Sequence, residues 1–244
     1  MKISFFEEFP NKESISKLKL VKFKTKLYIA EYHIEGFKQY KKEIKNVELI
    51  WWPILNYADG YWLSPFTKRK AIIKLSHQLK DNMPLLWDAE LPKNRKLIIT
   101  QIFKFFTNRK IIRDFFKTYK GQIYTAEYAL EKGVLKRILN FLGLSFDPKE
   151  YGNKIIRMFY TSLHDYPEEF LEKEIKNGVE KYSDKFLVGL GCIAIGINGN
   201  EPLLKPEQLK RDLELCKKLG VKEVVIFRLG GLNKEYIKVI NKYC

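Results

Sequence analysis

Several residue types are scarce in this chain, and each scarcity closes a door. Cysteine occurs three times in 244 residues, at Cys192, Cys216 and Cys244, with no CxxC spacing. A disulfide scaffold and a thiolate metal cluster are thereby excluded, and the odd count fits a reducing compartment. Histidine also occurs three times, at His33, His77 and His164, again without paired ligand spacing. Zinc is disfavoured on that ground. An oxygen-rich set drawn from Glu31, His33, Asp88, Glu90 and Glu127 would suit Mg2+ or Mn2+ better, so a divalent metal stays open while no cofactor is required. The longest apolar run, residues 186–197, contains three glycines and is too short to span a bilayer. Residues 1–10 reach Glu7 and Glu8 too soon for a signal peptide. The expectation is a cytoplasmic protein with no membrane segment.

Motifs are missing as well. Glu7-Glu8-Phe9-Pro10 stands after the first candidate strand, where a dinucleotide-binding chain would carry its glycines. No G-x-S-x-G elbow and no P-loop occurs. Lys154 begins its strand rather than ending it, so no Schiff-base lysine is placed at a strand top. Arginine is scarce too: 8 Arg against 37 Lys, within 45 basic and 29 acidic residues and a formal charge of +16. A basic chain points to anionic partners, but a lysine-dominated excess lacks the forked donors that read phosphates and bases. The excess reads as a solvated helix coat, and nucleic acid is not an expected partner.

What is present is a regular alternation. Short apolar runs at 2–6, 26–30, 47–51, 85–87, 122–126, 155–159, 186–194 and 223–227 are bulky, β-branched or aromatic, as strands buried on both faces should be. Lysine-rich segments of helical spacing lie between them. The first carries Ile15, Leu18 and Val21, the second Phe37, Tyr40 and Ile44, and the third Ala71, Ile72, Leu75 and Leu79. A fourth spans Leu97 to Phe116, with a predicted break near Asn108. Later helices are predicted over 131–142, 168–182, 205–219 and 233–243; Pro206 and Gly220 punctuate the third of these. Eight strand–helix units in 244 residues predict an α/β fold, a (β/α)8 TIM barrel forming a single domain over 1–244. An open doubly wound sheet is the alternative.

In a barrel the loops after the strands share one face, and that face carries function. Carboxylates and aromatic residues gather there: Glu7 and Glu8 after the first strand, Glu31 and Tyr32 after the second, Trp51 and Trp52 after the third, Asp88 and Glu90 after the fourth, Glu127 after the fifth, and Tyr160 after the sixth. Arg228 ends the eighth strand, next to the first in a closed barrel, and is placed either in the site or in an ion pair with Glu7 or Glu8. Asp88 and Glu90 are two apart, so they face the same way. Two close carboxyls in a low-dielectric pocket resist joint ionisation, which raises one pKa and suits a general acid. Glu127, on the adjacent strand, is a candidate third member. Trp51 and Trp62 are candidates to stack on a sugar face, Trp52 reads as core, and Glu8, Glu31 and Tyr32 complete the expected substrate-binding set. His164 stays open as an acid or base.

Asp88-Ala89-Glu90-Leu91-Pro92 resembles the end of the fourth-strand D-x-E motif of chitinase-type (family 18) glycoside hydrolases, and Met158-Phe159-Tyr160 resembles their sixth-strand M-x-Y motif. The resemblance implies Glu90 as general acid, Asp88 as the group assisting the substrate's acetamido nucleophile, and Tyr160 as its orienting partner. Elsewhere the chain departs from the family. Lys80-Asp81-Asn82-Met83 stands where the upstream part of the fourth-strand motif belongs, Thr161 replaces the Asp after Tyr, and Phe227-Arg228 replaces the sugar-stacking Trp. The expected function is thus a glycoside-hydrolase-like barrel acting on or binding a carbohydrate. Two rivals stand beside it. One is a sugar-phosphate isomerase, epimerase or lyase using the glycine loops at Gly196–Gly199 and Gly230–Gly231 to hold phosphate on backbone N–H groups. The other is a non-catalytic binding barrel.

Overall fold

The computed structural model describes residues 1–79, 82–130 and 133–244. Eight parallel strands close into a barrel in sequence order, β1 (Lys2–Glu7), β2 (Lys26–Glu31), β3 (Glu48–Pro53), β4 (Leu85–Asp88), β5 (Ile123–Tyr128), β6 (Lys154–Met158), β7 (Phe186–Gly191) and β8 (Glu223–Phe227). Closure comes from β1 pairing with β8, Lys2 opposite Glu223 through Phe6 opposite Phe227. All eight predicted strands are present, and the open sheet is excluded.

Both faces of the sheet are buried, and they make two separate cores. Phe6, Tyr28, Ile50, Trp52, Leu86, Tyr124, Ile156, Leu187, Val225 and Phe227 fill the barrel interior. Phe5, Leu27, Trp51, Leu85, Trp87, Ile155, Val188 and Val224 point the other way and pack under the helices. This is why the strands read as continuous apolar runs with no alternation.

The outer layer comprises α1 (Lys12–Ser16), α2 (Ile34–Glu43), α3 (Arg69–Gln78), α4 (Lys96–Thr100), α5 (Phe105–Thr118), α6 (Gly133–Phe141), α7 (Pro148–Tyr151), α8 (Glu168–Tyr182), α9 (Pro206–Lys218) and α10 (Lys234–Ile240). Pro206 opens α9 and Gly220, at φ 78°, follows its end, as the sequence predicts. Two helices differ from expectation. The segment holding Ile15 and Leu18 is one capped turn, α1, followed by a 3-10 turn over Lys17–Leu20. The predicted break near Asn108 falls earlier, at a 3-10 turn over Ile102–Lys104. Asn108 lies inside α5, fully buried, and its amide donates to the carbonyls of Pro65 and Thr67 at 2.9 and 3.1 Å. A polar residue that looks like a helix breaker here pins the loop after β3. The start of the helix predicted over 131–142 lies outside the described residues, as do Lys80 and Asp81. Among the described residues no helix is long and apolar enough to cross a membrane.

Candidate active site at the barrel mouth

The inward rows of β1 and β4 run past the barrel core into carboxylates. Phe6 is followed two residues later by Glu8, and Leu86 by Asp88 and then Glu90. Glu8, Asp88 and Glu90 line one cavity of about 150 Å3 together with Trp52, Trp62, Tyr128, Met158, Tyr160, Cys192 and Phe227. That is below the ~300–1,000 Å3 usual for small-molecule pockets. The loop after β3 brings Trp62 to it. Leu63 N–H donates to the Asp88 carbonyl at 3.0 Å, and Lys93 N–H to the Gly60 carbonyl at 2.9 Å, so this loop is laced to the end of β4. Met158 and Tyr160 reach the cavity from β6 by the same two-residue step.

Among the described residues no cation is bonded to the three carboxyls. Glu8 accepts from the Tyr61 hydroxyl at 2.9 Å and from Ile197 N–H at 3.1 Å. Burial nonetheless pushes its pKa up to about 7, against the opposing pull of those two donors. Burial, then the charge of Glu8, pushes Glu90 up to about 7, while Arg95 and Lys93 pull it down from a distance. Asp88 is raised well above the ordinary Asp value by burial and by the charges of Glu90 and Glu8. Its Oδ1 and the Trp52 Nε1 are both buried without a hydrogen-bond partner among the described residues; the indole draws the Asp88 pKa down without reaching hydrogen-bond geometry. An orphaned acceptor and an orphaned donor on one cavity wall are groups for which a ligand can supply partners. Burial, with the nearby Cys192 and the three carboxyls, raises the Tyr160 hydroxyl, so it stays a donor. Burial raises the Cys192 thiol to about 12, which leaves it without nucleophilic character.

Of the residues singled out from sequence, Glu90, Asp88, Glu8, Tyr160 and Trp62 meet in this cavity, and His164 stands at its rim. The others do not. Glu127 lies on the outward face of β5, fully buried, accepting from Thr125 Oγ1 at 2.7 Å, Phe146 N at 2.9 Å and Arg157 Nη1 at 2.5 Å. It anchors β5 to β6 and to the chain before α7. Glu31 also points outward, beside Gly36 and in a hydrogen bond with Tyr32 N–H. Tyr32 is 44% exposed and lines a groove along α3. Trp51 is sealed under α2, stacked on Phe37, with its Nε1 donating to the Glu31 carbonyl at 3.0 Å. Trp52, read as core, does belong to the core of the barrel interior, and it also borders the cavity. Arg228 pairs with Glu7 at 2.7 Å and donates to the Ile195 carbonyl, away from the cavity.

Some lining residues escaped sequence reasoning. Asn198 and Glu201 come from the loop after β7, and Cys192 and Phe227 from the ends of β7 and β8. Glu201 accepts from Gly196 N–H and Asn198 N–H at 3.0 and 2.8 Å. Burial pushes its pKa up, but those amides overcome it and hold it low. The same holds after β8, where Gly230 N–H donates to Glu7 at 2.6 Å. The amides expected to cradle phosphate are therefore occupied by the protein's own carboxylates. Among the described residues no group of three or more His, Cys, Asp or Glu is arranged to hold a metal ion.

No protein-family model matches the sequence, and no curated protein matches it. Solved structures do match in fold. The class V chitinase of Pseudomonas fluorescens Pf-5 has a TM-score of 0.58 at 11% identity, covering 99% of each chain. The PgaB glycoside hydrolase domain of Bordetella bronchiseptica has 0.56 at 12% identity, covering 97% of this chain and 95% of that one. A GH18 chitinase from Pseudoalteromonas aurantia has 0.56 at 10% identity, over the whole of both chains. The chain thus shares the barrel fold of family 18 chitinases and related glycoside hydrolases.

Proposed function

We propose that this protein is a glycoside hydrolase whose general acid is Glu90. The observation that carries the reading is that Asp88, at the end of β4, and Glu90, in the turn just after it, line one desolvated cavity, with Glu90 held near neutrality. A carboxyl with a pKa of about 7 is substantially protonated at neutral pH and becomes a strong base once it has given its proton away. In the forward step Glu90 donates its proton to the glycosidic oxygen as the bond from that oxygen to the anomeric carbon breaks. Asp88, with an Oδ1 that has no partner among the described residues, accepts a hydrogen bond from an N–H of the sugar, as from a 2-acetamido group whose carbonyl oxygen attacks the anomeric carbon. Tyr160 donates its hydroxyl to the same group. Glu90 then takes a proton from a water whose oxygen adds to the anomeric carbon as the bond from that carbon to the acetamido oxygen breaks. Trp52 and Trp62 offer apolar surface to the ring. Glu8 does not touch the leaving group; its charge helps keep the proton on Glu90.

The fold shared with chitinases supports a carbohydrate as the substrate class. The filled amides at Gly196 and Gly230 speak against the sugar-phosphate alternative. The test is Glu90→Gln assayed on chromogenic N-acetylglucosaminides and soluble chito-oligosaccharides. Turnover is expected to fall ~10²–10⁴-fold with ligand binding retained. Activity equal to the unmodified protein removes Glu90 from this role; binding without turnover in the unmodified protein makes it a non-catalytic barrel.

A further inference from the structure

An amphipathic helix normally turns its apolar stripe to the core. Helix α6 does the reverse. None of its residues is buried. Val134, Leu135, Ile138 and Phe141 are all exposed, Val134 at 70%. The polar Lys136 turns inward instead, to Ser145 Oγ at 2.5 Å and towards the buried Glu127 at 3.7 Å. The exposed apolar surface continues onto the segment after β4, through Phe141 packed on Phe105 and Phe106 at 5.6 and 6.3 Å between ring centroids. There Ile99, Ile102, Phe103 and Phe106 are exposed, Phe103 at 97%. A contiguous apolar face of this kind marks an interaction surface.

The charge around it identifies the partner. Residues 93–118 carry eight Lys or Arg and one carboxylate, Asp114. The chain as a whole has 45 basic to 29 acidic residues, so this face is more one-sided than the general coat. Arg95, Lys96, Lys104, Lys110 and Arg137 are exposed and form no ion pair among the described residues. Two copies meeting through this face would bring like charges together, which opposes a symmetric dimer. A surface that combines exposed Phe, Leu and Ile with a cationic rim suits the interface of an anionic bilayer. The apolar side chains enter the acyl boundary while Lys and Arg stay at the headgroups.

We infer that the face built by α4, the start of α5 and α6 docks the protein on an anionic lipid surface. The docked face begins beside the cavity: Lys93, close ahead of α4, bonds the side chain of Asn198, which lines it. Docking therefore holds the barrel mouth near the lipid. This inference stands apart from the hydrolase reading.

The experiment is co-sedimentation of the full chain with vesicles of phosphatidylcholine, with and without phosphatidylglycerol, at low and high salt. Binding is expected with phosphatidylglycerol and should weaken steeply with salt. Phe103→Ser combined with Leu135→Ser should weaken it by more than about ten-fold, and Arg137→Ser by about five-fold. Lys234→Ser, on the exposed surface of α10, should leave it unchanged. Phe103→Ser alone, at a side chain that touches almost nothing, keeps the test valid should the double variant fold poorly. No binding to anionic vesicles overturns the inference, as does binding that the apolar substitutions leave intact. A dimer that Phe103→Ser dissolves, without vesicle binding, assigns the face to self-association instead.

Discussion

Glu7 and Glu8 are adjacent in the chain, yet the barrel gives them opposite surroundings. Glu7 turns outward and is bound by Arg228 Nη1, Gly230 N–H and Phe9 N–H. Glu8 turns inward to a cavity it shares with Asp88 and Glu90, and its pKa climbs to about 7. The same division separates Glu127, paired with Arg157, from Asp88 on the next strand. Outward carboxylates tie strands to loops and helices, and inward ones crowd against each other. The single-residue step of a strand, which reverses the face, decides which fate each acid meets.

The largest effect should come from breaking an outward pair. Arg157→Ala leaves Glu127 buried without its main partner and should cost about 3–5 kcal/mol in denaturant unfolding; a loss no larger than that of Asp88→Asn would erase the distinction between the two faces. Next is the adjacent pair. Glu8 binds its proton more tightly folded, at about 7, than unfolded, near 4.5. Stability from this group is therefore full at low pH and is lost as pH rises between those values, by about 3 kcal/mol in total. Glu8→Gln should recover up to that amount above pH 7 and flatten the pH profile. Glu7→Gln should do the opposite, losing about 1–3 kcal/mol because Arg228 and its neighbours lose a charged partner. Equal signs at the two positions would refute the comparison. The smallest effect belongs to Tyr61→Phe, about 1 kcal/mol. Removing this donor should move proton loss from Glu8 to higher pH, readable as a shift in the pH dependence of unfolding.

The strands were legible because each is a compact apolar run, and the D-x-E spacing was legible because two residues apart means the same face. Which face was not legible. Every strand is covered on both sides, so apolar residues fill both rows and no polar alternation marks the inside. Trp51 and Trp52 are equally apolar; β3 extends to Pro53, beyond its predicted end, and sends Trp52, not Trp51, inward. Glu127 did carry an unused signal. Arg157 sits within the otherwise apolar run Ile155-Ile156-Arg157-Met158, and a buried Arg requires a carboxylate on a neighbouring strand. Asn198 and Glu201 had no such mark: their loop is tied to the barrel mouth by Ile197 N–H donating to Glu8, a contact between residues far apart in sequence that exists only after closure.

The division of the two cores also sorts the four tryptophans. Trp51 and Trp87 are sealed between sheet and helices, whereas Trp52 and Trp62 face the cavity. The molecule thereby carries its own optical reporter. A guest entering the barrel, or a proton leaving Asp88 beside the Trp52 indole, changes the emission of one pair against the steady background of the other.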